Sequence, residues 1–160
     1  KICSVSGMEF VIIRPPLVYG PNVKGNFSRL IKIVQSGIPL PLSSIDNKRS
    51  FIGLDNLVDL LMICMVHPKA ANQVLLASDG YDLSTPELIR NIAQAMGRHS
   101  RLFPCPPQVF RVLAKCIGKK VLVDRLLGSL QVEISNTKRL LGWEPPVTIE
   151  EGIRRCFPKF

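Results

Sequence analysis

The chain has 160 residues, 46% of them apolar and 21% charged, which suits one domain with a real core and excludes disordered, collagenous and coiled-coil classes. Its net charge of +9 is uneven, with nine basic and seven acidic side chains in residues 1–97 against twelve and five in residues 98–160. That asymmetry permits a polyanionic partner, but no nucleic-acid module and no interleaved exposed aromatics accompany it, so a phosphate-bearing small molecule is expected before nucleic acid.

Phe10-Val11-Ile12-Ile13 is a continuous, largely β-branched run, the pattern of a parallel-sheet strand covered on both faces. Pro15-Pro16 stops it, and Tyr19-Gly20-Pro21-Asn22 marks a loop at its carboxyl end, the ligand side of an open α/β sheet. A helix over 27–35 ends at Ser36-Gly37, and Pro39 and Pro41 punctuate an extended stretch through Leu42. Arg49-Ser50-Phe51-Ile52 reads as a short strand. Asp55 is placed to cap a helix packing Leu57, Val58, Leu61, Met62 and Met65 inward. Residues 73–77 form a further core strand, closed by a turn at Asp79-Gly80.

Ser84-Thr85-Pro86-Glu87 is a capping box, opening a helix that packs Leu88, Ile89, Ile92, Ala93 and Met96 before Gly97 ends it. Another helix is expected over 109–117. Ser135 caps a segment ended by Gly142-Trp143, and Thr148 with Glu151 repeats the capping box for a last short helix. The apolar stretch Leu60–Val66 is far too short to span a bilayer, and no signal peptide is visible. The expected fold class is therefore α/β, an edge of a doubly wound sheet joined to a smaller lobe.

Chemistry is sparse. Five widely spaced cysteines without a Cys-x-x-Cys pair argue against a disulfide framework or zinc knuckle and suit a reducing, cytoplasmic compartment. His67 and His99 lack metal-ligand partners, there is no serine elbow, and capping and packing account for Asp55 and Asp59. No Gly-x-Gly-x-x-Gly follows a strand, so no dinucleotide phosphate loop is present. Arg49 and Arg125, each at a junction between ordered elements, are the side chains best suited to grip a phosphate bidentately.

Arg14-Pro15-Pro16-Leu17-Val18-Tyr19-Gly20-Pro21 resembles the post-catalytic loop of the extended short-chain dehydrogenase/reductase family. The resemblance continues in family order through Gly25-Asn26-Phe27, Gly37-Ile38-Pro39-Leu40-Pro41, Arg49-Ser50-Phe51-Ile52 with Asp55-Asn56-Leu57-Val58-Asp59, and Ser78-Asp79-Gly80. It ends with Arg125-Leu126-Leu127-Gly128-Ser129-Leu130 and Leu140-Leu141-Gly142-Trp143-Glu144-Pro145-Pro146. The chain is most similar to the nucleotide-sugar epimerases and reductases of that family, the UDP-glucose 4-epimerase-like group.

The resemblance implies the carboxy-terminal part of such an enzyme: the end of an extended Rossmann-type sheet plus a small mixed α/β substrate-binding lobe. Rossmann elements fall near 9–15 and 50–77, and lobe elements near 22–49 and 80–155. It implies a missing amino-terminal half carrying the glycine-rich loop, a Tyr-x-x-x-Lys pair and a Ser or Thr, with residues 1–8 ending the helix after the catalytic lysine. Tyr19 is not that tyrosine, since Val23 stands where the lysine would be. Pro16, Leu17 and Tyr19 would border the nicotinamide end of NAD, or of NADP. Asn26, Leu40, Leu42, Arg49 and Arg125 would bind the UDP-sugar: Leu40 to Leu42 beside the uracil through backbone hydrogen bonds, and the arginines on the diphosphate. The implied activity is 4-epimerisation of a UDP-hexose or UDP-N-acetylhexosamine by a homodimer. The alternatives are a UDP-4-keto-sugar reductase or dehydratase, or a non-catalytic interaction fragment. The chain alone is expected to be inactive.

Overall fold

The computed structural model describes residues 7–106, 109 and 127–157. The β-branched run gives strand β1 (Val11–Arg14), which pairs in parallel with β4 (Gln73–Leu76), Val11 opposite Gln73 and Arg14 opposite Leu76. Pro15 and Pro16 break the ladder, and the chain re-enters a second sheet as β2 (Leu17–Tyr19). There β2 runs parallel to β3 (Arg49–Gly53), and β3 pairs antiparallel with β5 (Asp82–Leu83). The described residues thus form a small α/β fold with one parallel and one mixed sheet, in keeping with a partial Rossmann-like domain plus a small lobe.

Helix α1 (Asn26–Gln35) buries Phe27 and Val34 and ends at Gly37, whose φ of 68° suits a residue without a Cβ. Helix α2 (Leu54–Val66) follows β3 without a break, and Gly53, not Asp55, stands at its N-cap. Asp55 lies in the first turn and pairs instead with Arg155 at 2.7 Å. The inward face of α2 also differs from the expectation. Asn56 and Leu60 are buried and Leu57, Ile63 and Cys64 half-buried, whereas Val58, Leu61, Met62 and Met65 are exposed. A helix apolar nearly all round has no stripe to read, so the sequence pattern could not choose its buried side. The outer face of the parallel pair is open as well, through Ile12, Val74 and Leu76. Coverage on both faces, read from the run at Phe10–Ile13, is not supplied by the described residues.

Helix α3 (Thr85–Ala95) starts as expected: the Glu87 N–H donates to Ser84 Oγ at 3.3 Å, and the Ser84 N–H donates to Glu87 Oε2 at 2.7 Å. Helix α4 (Ser135–Leu141) ends at Gly142, φ 63°. Its N-cap is Ile134, because the Ser135 hydroxyl donates to the Glu133 carboxylate. In α5 (Ile149–Arg155) only half of the second capping box forms: the Glu151 N–H donates to Thr148 Oγ1, while the Glu151 carboxylate pairs with Arg154 and Arg155. The helix expected over 109–117 lies, apart from Val109, outside the described residues.

Two cores result. One gathers Tyr19, Phe27 and Phe51 with the inner faces of α1, α3 and α5; the other packs Ile52, Leu60 and Leu75 with Ile134, Leu141 and Trp143. The 132–143 segment, grouped by sequence with the lobe, thus packs against β4 and α2. The Trp143 Nε1–H donates to Asp59 Oδ2 at 2.8 Å, which fixes this segment on α2.

Ser84→Ala should lower stability by about 1 kcal/mol in urea denaturation, the usual cost of losing an N-cap. Hydrogen bonds from Ser84 hold the Glu87 carboxyl below its usual range, so its contribution is complete above the ordinary glutamate pKa and is lost as pH falls through the lowered value. The stability difference between wild type and Glu87→Gln should close over that acid window.

Candidate substrate-binding site

The register of the mixed sheet places the candidate residues. Leu17 pairs with Phe51, so the Pro15-Pro16 turn at the carboxyl end of β1 lies at the same sheet end as Arg49. A second strand-like segment runs along the edge of Arg49 opposite β5. The Leu130 N–H donates to Lys48 O at 2.9 Å and the Ser50 N–H to Leu130 O at 2.8 Å. The Asn47 side chain donates to Gly128 O, the Lys48 N–H to Ser129 Oγ, and the Val132 N–H to Ser50 Oγ. These bonds hold Gly128–Val132 beside Asn47–Ser50. Arg125 lies outside the described residues, but the segment that it precedes arrives next to Arg49.

Arg49 is half-buried, and burial draws its guanidinium below the usual arginine range. It remains cationic, and its charge is less screened than that of a surface arginine. Pro16 and Leu17 are half-buried, and Asn26 is exposed in the first turn of α1. The 40–42 stretch is not a free strand edge. Leu40 donates to Arg101 O at 2.8 Å and accepts from Phe103 at 3.0 Å, the Leu42 N–H donates to Leu40 O, and Leu42 O accepts from Ile45. Leu42 is buried in the first core. The Leu40 and Leu42 backbone groups foreseen for a uracil are therefore already paired inside the protein, and the Leu40 side chain is half-buried.

Tyr19 also corrects the expectation of a pocket wall. Its side chain has no exposed surface, its ring tilts against Phe27 at 5.6 Å, and its hydroxyl donates to Asp79 Oδ2 at 2.7 Å. Two glycines make room for it: a Cβ on Gly152 would stand 2.6 Å from the hydroxyl, and one on Gly53 3.2 Å away. Asp79 collects further donors, the Asn56 side chain at 2.7 Å and the Gly53 N–H at 3.0 and 3.1 Å. Asn56 in turn donates to Val147 O and accepts from the Val147 N–H, at 2.8 and 2.9 Å.

This hub ties the end of β2, the β3–α2 junction, the loop after β4 and the approach to α5. Burial pushes the Asp79 carboxyl up while its donors pull it down, and burial and the Asp79 charge hold the Tyr19 hydroxyl well above its ordinary range. The space at the hub is about 10 Å³, room for one water at most, so it is scaffold and not a pocket. Sequence reading missed it because Asp79-Gly80 had a sufficient explanation as a turn. Asn56 shares the buried face of α2 with Leu60 and Ile63 at i+4 and i+7, but a helix apolar on both sides gave no signal for it.

Parallel strands joined through a long crossover, beside a small mixed sheet, have the architecture of a partial Rossmann-like domain with a small lobe. No protein-family model matches the chain. It is 51% identical over 156 residues to a UDP-glucose 4-epimerase of Vibrio cholerae, covering 97% of this chain and 48% of that protein. A UDP-N-acetylglucosamine 4-epimerase from Bacillus cereus superposes with a TM-score of 0.71 at 15% identity, over 97% of this chain and 48% of that one. A UDP-glucuronic acid 4-epimerase from Bacillus cereus, solved with NAD, superposes with a TM-score of 0.69 at 18% identity, over 97% and 45%. The chain shows strong homology to the Vibrio cholerae UDP-glucose 4-epimerase, and the two solved structures share its fold. It spans about half the length of the curated relatives it matches.

Tyr19→Phe leaves the Asp79 carboxylate short of one donor and should cost about 1–3 kcal/mol of stability by urea denaturation. Tyr81→Phe, at a ring 60% exposed, is the control and should stay within about 0.5 kcal/mol. The Tyr19 donor favours ionised Asp79, so removing it raises the folded-state pKa further. The deficit should be complete above the Asp79 titration and shrink as pH falls through it.

Proposed function

We propose that the chain is the substrate-binding portion of an NAD(P)-dependent UDP-sugar 4-epimerase acting on a UDP-hexose or UDP-N-acetylhexosamine. The observation that carries this reading is the 51% identity to a UDP-glucose 4-epimerase, sustained across 97% of the chain. The arrangement around Arg49 supports it. A partly desolvated guanidinium on a rigid strand, flanked by the segment that Arg125 precedes, suits two adjacent phosphates gripped by two forks. Asn26 would lie near the diphosphate, and Leu40 with Leu42 behind it would line the side of the base.

The described residues fit the border of the dinucleotide but do not hold it. Pro16 and Leu17, half-buried at the carboxyl end of β1, would meet the nicotinamide end, with Tyr19 positioning their loop from the core. When bound, the nicotinamide supplies the hydride chemistry of epimerisation. This chain's own residues grip and orient the sugar nucleotide, which lowers the barrier through proximity. The phosphate loop and the acid–base groups would come from an amino-terminal half. The apolar outer faces of α2 and of the β1–β4 pair are suited to pack against that half, and the assembled enzyme would be a homodimer.

The test joins the chain to the upstream half of the Vibrio cholerae relative. The chain alone should show no turnover, whereas the joined protein should epimerise UDP-hexoses with NAD⁺. In the joined protein, Arg49→Ala and Arg125→Ala should each weaken UDP binding by about 1–3 kcal/mol in calorimetric titration. Arg49→Lys should recover only part of that loss, and Arg90→Ala, exposed on α3, should change little. Unchanged UDP affinity in both alanine variants, with the fold intact, returns these arginines to ordinary surface roles.

A further inference from the structure

The positive charge of the chain is confined to two runs. Residues 10–45 and 88–123 hold eleven basic and no acidic side chains, whereas all other positions hold ten basic and twelve acidic ones. Seven of those eleven cations are among the described residues: Arg14, Lys24, Arg29, Lys32, Arg90, Arg98 and Arg101. The fold lays the two runs side by side. Helix α1 packs on α3, Leu40 bridges Leu102 in parallel, and the Arg98 and Arg101 guanidinium groups donate to Gln35 O and Gly37 O at 2.6 and 3.4 Å.

On the outside of this seam Arg29, Lys32 and Ile33 share the exposed face of α1, at i, i+3 and i+4. Around its carboxyl end stand Arg98 and Arg101, exposed, with Ile38 60% and Phe103 45% accessible. Completing the end of α1 accounts for one N–H from each arginine, and a guanidinium has five. It accounts for neither Arg29 nor the uncovered Ile38 and Phe103. A face of exposed cations interspersed with aliphatic and aromatic side chains, without carboxylates among the described residues of the two runs, has the chemistry of a peripheral bilayer contact. The cations meet anionic headgroups and the apolar groups enter the acyl boundary. Nucleic-acid binding would favour stacking aromatics, of which this face has only Phe103.

We propose that the outer face of α1, together with the 98–103 segment, docks on an anionic phospholipid bilayer. This inference stands on charge and exposure and does not rest on the epimerase reading. The test sediments the 160-residue chain with phosphatidylcholine vesicles, with and without about 30% phosphatidylglycerol, the latter giving a negative surface that attracts each nearby cation. Binding should require phosphatidylglycerol, fall steeply with added salt, and drop about tenfold or more in the Arg29→Glu/Lys32→Glu variant, given that several-fold attraction per charge. Phe103→Ala should weaken binding without altering its salt dependence. If the charge-reversal variant loses its helical circular dichroism, Arg29→Gln/Lys32→Gln carries the same comparison. Equal binding to pure phosphatidylcholine overturns the proposal, because the apolar face of α2 would then be responsible. Binding unaffected by both charge variants overturns it too, as does preferential capture by duplex DNA at equal phosphate concentration.

Discussion

A carboxylate taken out of water costs several kcal/mol unless donors replace its hydration, and Asp79 has been taken most of the way out. Its donors come from three separate places: the Tyr19 hydroxyl at the end of β2, the Gly53 N–H at the end of β3, and the Asn56 side chain in the first turn of α2. Asn56 then passes the connection to both backbone groups of Val147, just ahead of α5. Each donor is committed by the demand of the others, so the β2 end, the β3–α2 junction and the last helix are held in one relative position. The glycines at 53 and 152 are part of the same constraint, because a Cβ at 152 would collide with the Tyr19 hydroxyl at 2.6 Å and one at 53 would crowd it at 3.2 Å.

The candidate site depends on that frame. The Pro15–Leu17 turn hangs between β1 and a β2 strand whose last residue is Tyr19, and Arg49 begins the strand that ends at Gly53. Both are therefore positioned by strands anchored at their far ends in the Asp79 hub. A guanidinium proposed to grip phosphates would gain from such rigidity, since orienting a flexible cation would consume part of the binding energy. The core would supply precision, and the partly desolvated charge attraction.

Local chemistry made most of the fold legible in the sequence. The β-branched run before Pro15-Pro16, the Ser84–Glu87 box and the Gly37 and Gly142 stops each act within a few residues, and each appears where its chemistry demands. What failed was what depends on competing partners or on a face the pattern does not mark. Asp55 answers the distant Arg155 and does not cap, Ser135 donates to the neighbouring Glu133, and the outward face of α2 is as apolar as its inward one. At the site, Arg49 was legible as a guanidinium at a strand start. The internal use of the Leu40 backbone groups was not, because their partners Arg101 and Phe103 lie about sixty residues away. Tyr19 was singled out for the wrong reason: its loop carries a family signature, and its side chain serves the core beneath that loop.

If the Asp79 hub is one cooperative unit, the amide protons at its two ends should open together. Gly53 donates directly to Asp79, whereas Val147 donates to Asn56 and touches Asp79 only through it. Native-state hydrogen exchange of these two amides, compared between wild type and Asp79→Ala, tests that coupling directly. Removing the carboxylate should lower protection at Gly53 and Val147 by similar factors. Loss at Gly53 with Val147 unchanged would contradict that coupling, and would make Asp79 a local cap on β3 and α2 instead of the tie that holds the site's scaffold.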